Sequence, residues 1–331
     1  MNNSLYPLKF KPILKERIWG GTRLHHSMGK QFPNPEEKYG ESWEVSGVEG
    51  DVSVVQNGFL AGNTLNELIE VYMGDLVGES LYERFGEEFP LLIKFIDASE
   101  TLSIQVHPDD ETARERHHAY GKTEMWYIID ADRDALIYTG FEKDITREEY
   151  IQAVKEGNLE RYLHKEEAIA GDVFFIPAGR VHAIGKGVLL AEIQQTSDIT
   201  YRIFDWNRVD GSGKSRELHT ELAVDVIDFS RVHNPKTHPV DEVNKTSELS
   251  ACKYFTVNRI TFTSAMQRDY NMLDSFVIYL CVEGECSVVY ASGSSERLTK
   301  GETLLLPADL KDIILRPQGK CSLLEVYINR A

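Results

Sequence analysis

Apolar and polar residues alternate along Leu102-Ser103-Ile104-Gln105-Val106-His107. In a strand this puts Leu102, Ile104 and Val106 on one face and Ser103, Gln105 and His107 on the other. Short runs rich in β-branched and aromatic residues, bounded by Gly, Pro or Asp, recur at 124–130 (EMWYIID), 172–178 (DVFFIPA), 188–195 (VLLAEIQQ), 275–282 (SFVIYLCV), 302–308 (ETLLLPA) and 322–328 (SLLEVYI), and read as further strands. Three segments follow a helical period instead. Residues 63–85 carry a capping box at Thr64 and Glu67 with Leu65, Leu68, Ile69 and Tyr72 on one face. Residues 145–165 carry another at Thr146 and Glu149, with Gly157 dividing two short helices. Residues 215–229 place Leu218, Leu222 and Val226 on one stripe, so a third helix is predicted there. Many short strands with few helices suggest sandwiched or closed β-sheets such as a jelly roll.

A weak internal repeat divides the chain. GDVFFIPAGRVHAI, from Gly171, aligns without a gap on GETLLLPADLKDII, from Gly301, so two related β units are expected. His182 then falls opposite Asp312, and pairing Tyr127 with Tyr279 sets Glu124 opposite Phe276. The second copy keeps the strand pattern and loses the polar residues, the difference expected where the first copy alone carries chemistry.

Composition narrows the partners. A formal charge of −17 from 53 acidic and 36 basic residues argues against a nucleic-acid or anionic-membrane binder, and an anionic ligand needs local cations. No stretch approaches the ~20 apolar residues that span a bilayer, so a soluble cytoplasmic protein is expected. Cys252, Cys281, Cys286 and Cys321 all lie in the last quarter without a CxxC pair, and most of them read as buried small hydrophobes.

Against that background the polar face of 102–107 acquires a use. Gln105 and His107 from one strand, Glu124 at the start of another and His182 after a Pro-Ala turn are two imidazoles, a carboxylate and an amide oxygen. That set suits catalytic Zn²⁺, and Fe²⁺ uses a similar one. Lys94 interrupts the apolar strand PLLIKFIDA, where a bare ammonium is costly; Asp97 and Glu100 are its nearest partners in sequence.

The stretches LSIQVHPDD, GKTEMWY, IPAGRVHAIG and YRIFDWNR, in this order and accompanied by RIWGG, ESWEVS and SRELH, resemble the type I mannose-6-phosphate isomerases, in the short bacterial form built from cupin barrels. The resemblance fades over the C-terminal hundred residues. It implies two cupin-type jelly-roll barrels with short helical insertions, residues 1–236 being the catalytic unit and 237–331 a second unit without metal ligands. It also implies one zinc ion per chain on Gln105, His107, Glu124 and His182, Arg202 as the catalytic arginine, and Ser103 on the substrate side. The long helical domain of the larger eukaryotic forms is absent, and residues 144–168 stand in part of its place.

The implied reaction interconverts mannose 6-phosphate and fructose 6-phosphate through an enediol. It requires stabilisation of a developing oxyanion, a proton carrier and an anchored phosphate. Lys122 and a metal-bound water are both open as the carrier, and Lys94 and Ser103 are the candidate substrate and phosphate contacts. Arg202, outside this role, has Asp205 or Glu192 to pair with. Trp19 and Trp43 read first as core residues. The expected partner is a small sugar phosphate, with neither nucleic acid nor membrane. Two other readings use the same residues: a metal-dependent cupin oxygenase and a non-catalytic sugar-phosphate-binding protein.

Overall fold

The computed structural model describes residues 4–209, 211 and 213–329. Its first unit contributes β1 (Ile13–Gly21), β2 (Tyr39–Val45), β3 (Leu91–Ala98), β4 (Ile104–Val106), β5 (Glu124–Ala131), β6 (Leu136–Phe141), β7 (Leu163–Glu167), β8 (Val173–Ile176), β9 (His182–Ile184), β10 (Val188–Gln195), β11 (Tyr201–Phe204) and β12 (Lys236–Thr237). They form a seven-stranded sheet in the order β1-β2-β3-β10-β5-β8-β12 and a five-stranded sheet in the order β11-β4-β9-β6-β7. The second unit adds β13 (Lys245–Ala251), β14 (Thr256–Phe262), β15 (Met266–Asp269), β16 (Val277–Glu283), β17 (Glu285–Tyr290), β18 (Ser294–Thr299), β19 (Thr303–Leu306), β20 (Asp312–Pro317) and β21 (Cys321–Tyr327), again in two sheets, β13-β14-β21-β16-β19 and β15-β20-β17-β18. The fold is mainly β, each unit a pair of facing sheets rather than a ring of continuous ladders.

Strands β3 and β10 are buried along their whole length, and the side-chain period of two explains it. Ile96, Trp126, Ile128 and Leu190 point inward and pack with Ile137, Phe174 and Ile184 between the two sheets of the first unit. Their neighbours Ile93, Phe95, Met125, Leu189, Ala191 and Ile193 point the other way and meet Val257, Ile278, Leu280, Leu324 and Val326 of the second unit. The two large sheets therefore share one apolar core, back to back. The N-terminal segment crosses between the units: Leu8 exchanges both backbone hydrogen bonds with Leu305, each at 2.8 Å, and covers the β19 edge.

The helical predictions hold in part. Residues 63–85 form two helices, Leu65–Val77 and Glu79–Phe85, with the capping box on Thr64 and Glu67 in place. They part at Gly78, whose φ of 103° needs glycine and whose Cβ would lie 2.6 Å from the Asp274 carbonyl oxygen. The Asp274 carboxylate then accepts from the backbone N–H groups of Glu79 and Ser80 at 2.8 and 3.1 Å, so a residue of the second unit caps the second helix. Residues 147–155 are helical behind the Thr146 and Glu149 capping box. The 215–229 prediction fails. Only Thr220–Ala223 is helical, and Leu218 and Leu222 are exposed, because the chain before them runs along the edge of β11 instead of folding onto the core. Helix Asp110–His117, with Asp109 as its N-cap, was not predicted: its sequence DETARERH buries only Ala113 and has no apolar stripe to read.

The strand ladders also correct the internal repeat by one residue. Trp126 pairs with Phe174, and Tyr279 with Leu304, so Tyr279 occupies the place of Trp126 rather than Tyr127, and Glu124 stands opposite Val277, not Phe276. The row Lys94–Glu192–Trp126 in the first unit matches Asn258–Glu325–Tyr279 in the second.

Phe89 of the first unit and Phe276 of the second lie 4.7 Å apart, both buried in the shared core. Phe276→Ala is expected to cost ~3–5 kcal/mol of stability, read from the denaturation midpoint. Met272→Ala, at a fully exposed side chain, should stay within ~0.5 kcal/mol.

Candidate metal centre and active site

Two cross-strand rows face each other inside the first unit. On the five-stranded sheet Arg202 of β11 stands opposite Gln105 of β4, which stands opposite His182 of β9, which stands opposite Thr139 of β6. On the seven-stranded sheet the row is Lys94–Glu192–Trp126, with Gln194 opposite Glu124 one step along. The rows touch where Trp126 meets His182 edge-on, ring centres 5.3 Å apart. Ser103, Gln105 and His107 thus turn inward while Ile104 and Val106 pack behind the sheet with Tyr201 and Ile203, as the alternation requires; Leu102, expected on their face, instead packs between the sheets with Trp19, Ile96 and Trp126, because the strand begins only at Ile104.

His107, Glu124 and His182 converge, with one ligand atom from each lying within 4.8 Å of the others. His182 Nδ1 is 2.9 Å from the Arg180 carbonyl oxygen and His107 Nδ1 is 2.8 Å from that of Ile199. A carbonyl can only accept, so each Nδ1 carries the proton and each Nε2 presents a lone pair. Those lone pairs aim at Glu124: His107 Nε2 is 3.6 Å from Oε2 and His182 Nε2 is 3.3 Å from Oε1. Neither His107 Nε2 nor either Glu124 oxygen has a hydrogen-bond partner, and all three groups are at most 1% exposed. Buried acceptors facing one another without a donor are strongly unfavourable, and a cation is what this donor set fits. Gln105 completes the ring with its amide nitrogen 3.3 Å from His182 Nε2 and its oxygen accepting from Ser103 Oγ at 3.3 Å; turning the amide end over offers the oxygen to a metal and the NH₂ to Ser103.

The charges around this cluster alternate. Lys122 Nζ is 3.5 Å from Glu124 Oε2. Glu192 Oε1 accepts from Trp126 Nε1 at 3.0 Å and Oε2 from Lys94 Nζ at 2.9 Å, while Lys94 also donates to Gln194 Oε1 at 2.7 Å. The partner of Lys94 is therefore Glu192, directly across the ladder, rather than Asp97 or Glu100. Burial is the largest influence on each group. It lowers His107 well below the ordinary imidazole value and His182 to about 4, so both stay neutral. It raises Glu124, with the Glu192 carboxylate adding to the effect. For Glu192 the Lys94 and Lys122 charges outweigh burial and hold the carboxylate ionised, and for Lys122 the attraction of Glu124, Glu192 and Glu41 outweighs it and holds the ammonium charged.

A cavity of about 510 Å³ lies beside this cluster, lined by Lys94, Ser103, Gln105, Lys122, Trp126, Glu192, Arg202 and Arg216 and also by Trp19 and Trp43. Both tryptophans are buried, as a core reading expects, and also face the cavity. A larger groove of about 1090 Å³ runs between the units and is lined by none of Gln105, Lys122, Glu192 and Arg202; the chemistry selects the smaller cavity, which holds all four. Arg202 pairs with neither Asp205 nor Glu192. Its Nη1 donates to the Glu217 carbonyl at 2.8 Å, its Nε has no partner, and Asp205 is taken by Arg208 and Arg216. Sequence reading missed Glu192 as a site residue and Arg216 altogether, because their roles depend on pairing across strands and on a loop closing over β11.

The comparisons bear on this geometry. Residues 7–143 match the type I phosphomannose isomerase catalytic domain and residues 244–328 the mannose-6-phosphate isomerase cupin domain. Mannose-6-phosphate isomerase ManA of Bacillus subtilis is 38% identical over 323 residues, 95% of this chain and 97% of that protein. The chain belongs to the type I mannose-6-phosphate isomerase family. The mannose-6-phosphate isomerase of Streptococcus mutans is 36% identical over 92% of this chain and 93% of its own length. The solved mannose 6-phosphate isomerase structure from Bacillus subtilis superposes with a TM-score of 0.84 at 33% identity, covering 98% of this chain and 100% of that one. A phosphomannose isomerase from Salmonella typhimurium, at 17% identity and a TM-score of 0.79, shares the fold.

Removing one imidazole from a three- or four-ligand site takes away most of its affinity. His107→Ala and His182→Ala should each lose stoichiometric metal by elemental analysis, whereas Asp312→Ala, at the matching place in the second unit, should keep it.

The imidazole protonation has its own test. In unfolded chain both histidines titrate near ~6.5, while folded His182 titrates at about 4 and His107 well below its ordinary value. Below pH ~6.5 the unfolded state then binds up to two more protons against the one that the raised Glu124 keeps in the folded state, so the cluster's contribution to stability declines as pH falls; between ~6.5 and about 8 only Glu124 differs, and the contribution declines as pH rises. In metal-free protein at about pH 6, the ¹⁵N resonances of His107 and His182 should remain those of a neutral Nδ1–H imidazole; an imidazolium signal there would overturn the neutral state, and a neutral Nε2–H pattern would reverse the tautomer assignment.

Proposed function

We propose that this protein interconverts D-mannose 6-phosphate and D-fructose 6-phosphate by moving a proton between C2 and C1, using one zinc ion held by His107, Glu124, His182 and the turned Gln105 amide. The observation that carries the reading is the meeting of two neutral Nε2 lone pairs and a carboxylate, of which His107 Nε2 and both Glu124 oxygens have no hydrogen-bond partner, beside a cavity that also holds Lys122 and Arg202. Two nitrogens and two oxygens at a site open to one side suit catalytic zinc. When bound, zinc supplies positive charge for the oxygen that becomes negative as the enediol forms.

The chain's own residues bind and orient the sugar phosphate, and the proton travels through a carrier beside C1 and C2. Lys122, kept protonated by three carboxylates, donates to the sugar oxygens next to the reacting carbons. Arg202 presents a fixed cation from the strand opposite Gln105. Lys94 spends two of its three N–H donors on Glu192 and Gln194 and offers the third to substrate, with the Ser103 hydroxyl lining the same cavity. In this reading residues 1–236, together with Thr237, which completes β12, are the catalytic unit and the remainder a second cupin-like unit without metal ligands. The enzyme acts on a cytoplasmic sugar phosphate, and its charge of −17 speaks against nucleic-acid or membrane partners. Among the described residues no helix is long and apolar enough to cross a membrane.

Incubating the enzyme with mannose 6-phosphate in deuterated water should yield fructose 6-phosphate and deuterium in the sugar. Full metal loading with neither product nor label would sink the reading. Arg202→Ala should lower kcat and kcat/KM together by on the order of 10²- to 10³-fold with zinc retained, since an oriented donor to a developing oxyanion acts chiefly in the transition state. Lys94→Ala should raise KM more than it lowers kcat; a near-normal kcat with a raised KM in Arg202→Ala instead would move that arginine from the chemistry to the phosphate.

A further inference from the structure

We propose that the C-terminal unit sets the geometry of the catalytic centre, with Tyr254 and Asp110 as positioning residues. Asp110 lies three residues after His107, at the start of helix Asp110–His117. Its Oδ1 accepts from the Gly121 backbone N–H at 3.1 Å and from Gln195 Nε2 at 2.8 Å. Its Oδ2 accepts from the Tyr254 hydroxyl at 2.5 Å, with Lys253 Nζ at 3.6 Å. Tyr254 and Lys253 belong to the second unit; the other partners belong to the first.

The segment held in this way leads straight into Glu124. Gly121 N–H goes to Asp110, Lys122 N–H to the Pro108 carbonyl at 3.1 Å, and Thr123 N–H to Gln195 Oε1 at 2.9 Å, while Gln195 N–H returns to the Thr123 carbonyl at 3.2 Å. Each backbone donor before Glu124 is thus fixed to the turn that follows His107 or to the end of the strand carrying Glu192. Gly121 permits the close approach, since a Cβ there would lie 2.6 Å from the Asp110 nitrogen. One carboxylate therefore spaces the strand that bears His107, the strand that bears Glu124 and the strand that bears Glu192.

The second unit enters through a rigid turn. Cys252 N–H bonds the Phe255 carbonyl at 2.9 Å, Phe255 is fully buried in the core shared by the two units, and the Tyr254 ring packs against the same core. The hydroxyl position is consequently fixed by how the units dock. Burial opposes ionisation of Asp110, yet hydrogen bonds from Tyr254, Gln195 and Gly121 outweigh it and keep the carboxylate below its ordinary range, available as a multiple acceptor. Small displacements of catalytic groups are expensive, on the order of 10²-fold for ~1 Å, so a tie at this point reaches turnover without touching substrate.

A double-mutant cycle on the metal-loaded full chain tests it, using Tyr254→Phe, Asp110→Asn and the pair. Each is measured for kcat and KM on mannose 6-phosphate and for the rate of zinc release into a chelator, below the unfolding transition of every variant. Asp110→Asn keeps an oxygen for Gly121 and Gln195 and turns an NH₂ toward Tyr254. Each single change should lower kcat by on the order of tenfold, the scale of one hydrogen bond to a charged group, with KM within about twofold because no substrate contact is lost. Zinc release should quicken in both, and the double variant should match Asp110→Asn alone. Wild-type kcat and zinc release in Tyr254→Phe, or losses that simply add in the double variant, would overturn the proposal. The activity arm rests on the isomerase reading. The zinc-release arm does not, so a wild type without isomerase activity would fail that reading while the proposal is still decided.

Discussion

Two imidazole lone pairs and a carboxylate meet inside the first β unit, with His107 Nε2 and both Glu124 oxygens lacking a hydrogen-bond partner, and much of the molecule is arranged to make that tolerable. Each imidazole is locked in one tautomer by a backbone carbonyl behind it, an outer contact that both orients the ring and frees the nitrogen facing inward. Lys122, Lys94 and Glu192 then distribute charge around the cluster, so that no buried ion lacks a counter-ion. Buried charge pairs contribute little to net stability; here they hold two ammonium groups, Lys94 and Lys122, beside three side chains that could bind a metal ion.

The facing rows explain why a fold with few helices carries this chemistry. A strand offers one inward side chain every two residues, and neighbouring strands supply the rest of a row at fixed spacing. Arg202, Gln105 and His182 come from three strands and lie side by side, and Lys94, Glu192 and Trp126 do the same on the opposite sheet. The second unit keeps the glutamate of that row, Glu325, but surrounds it with Asn258, Arg268 and Tyr270. A hydrogen-bonded polar network stands there where the first unit holds a cavity. The retained part of the second unit is its outer sheet face, which closes the shared core and brings Tyr254 to Asp110.

Local periodicity in the sequence determined the strand character, two of the three helical segments, the division into related units and the inward face of Ser103, Gln105 and His107, because alternation and capping chemistry act over a few residues. Donor chemistry nominated Gln105, His107, Glu124 and His182 before any coordinates, since a lone pair belongs to a residue type. What only the tertiary structure decided depends on residues far apart in the chain. Lys94 finds Glu192, 98 residues away, rather than the carboxylates beside it, since cross-strand distance, not sequence distance, sets Coulomb energy. The 215–229 stripe is no helix because Glu217 and His219 are spent on Arg202. The one-residue slip of the repeat, which changes which side chains face inward, was fixed only by the ladders.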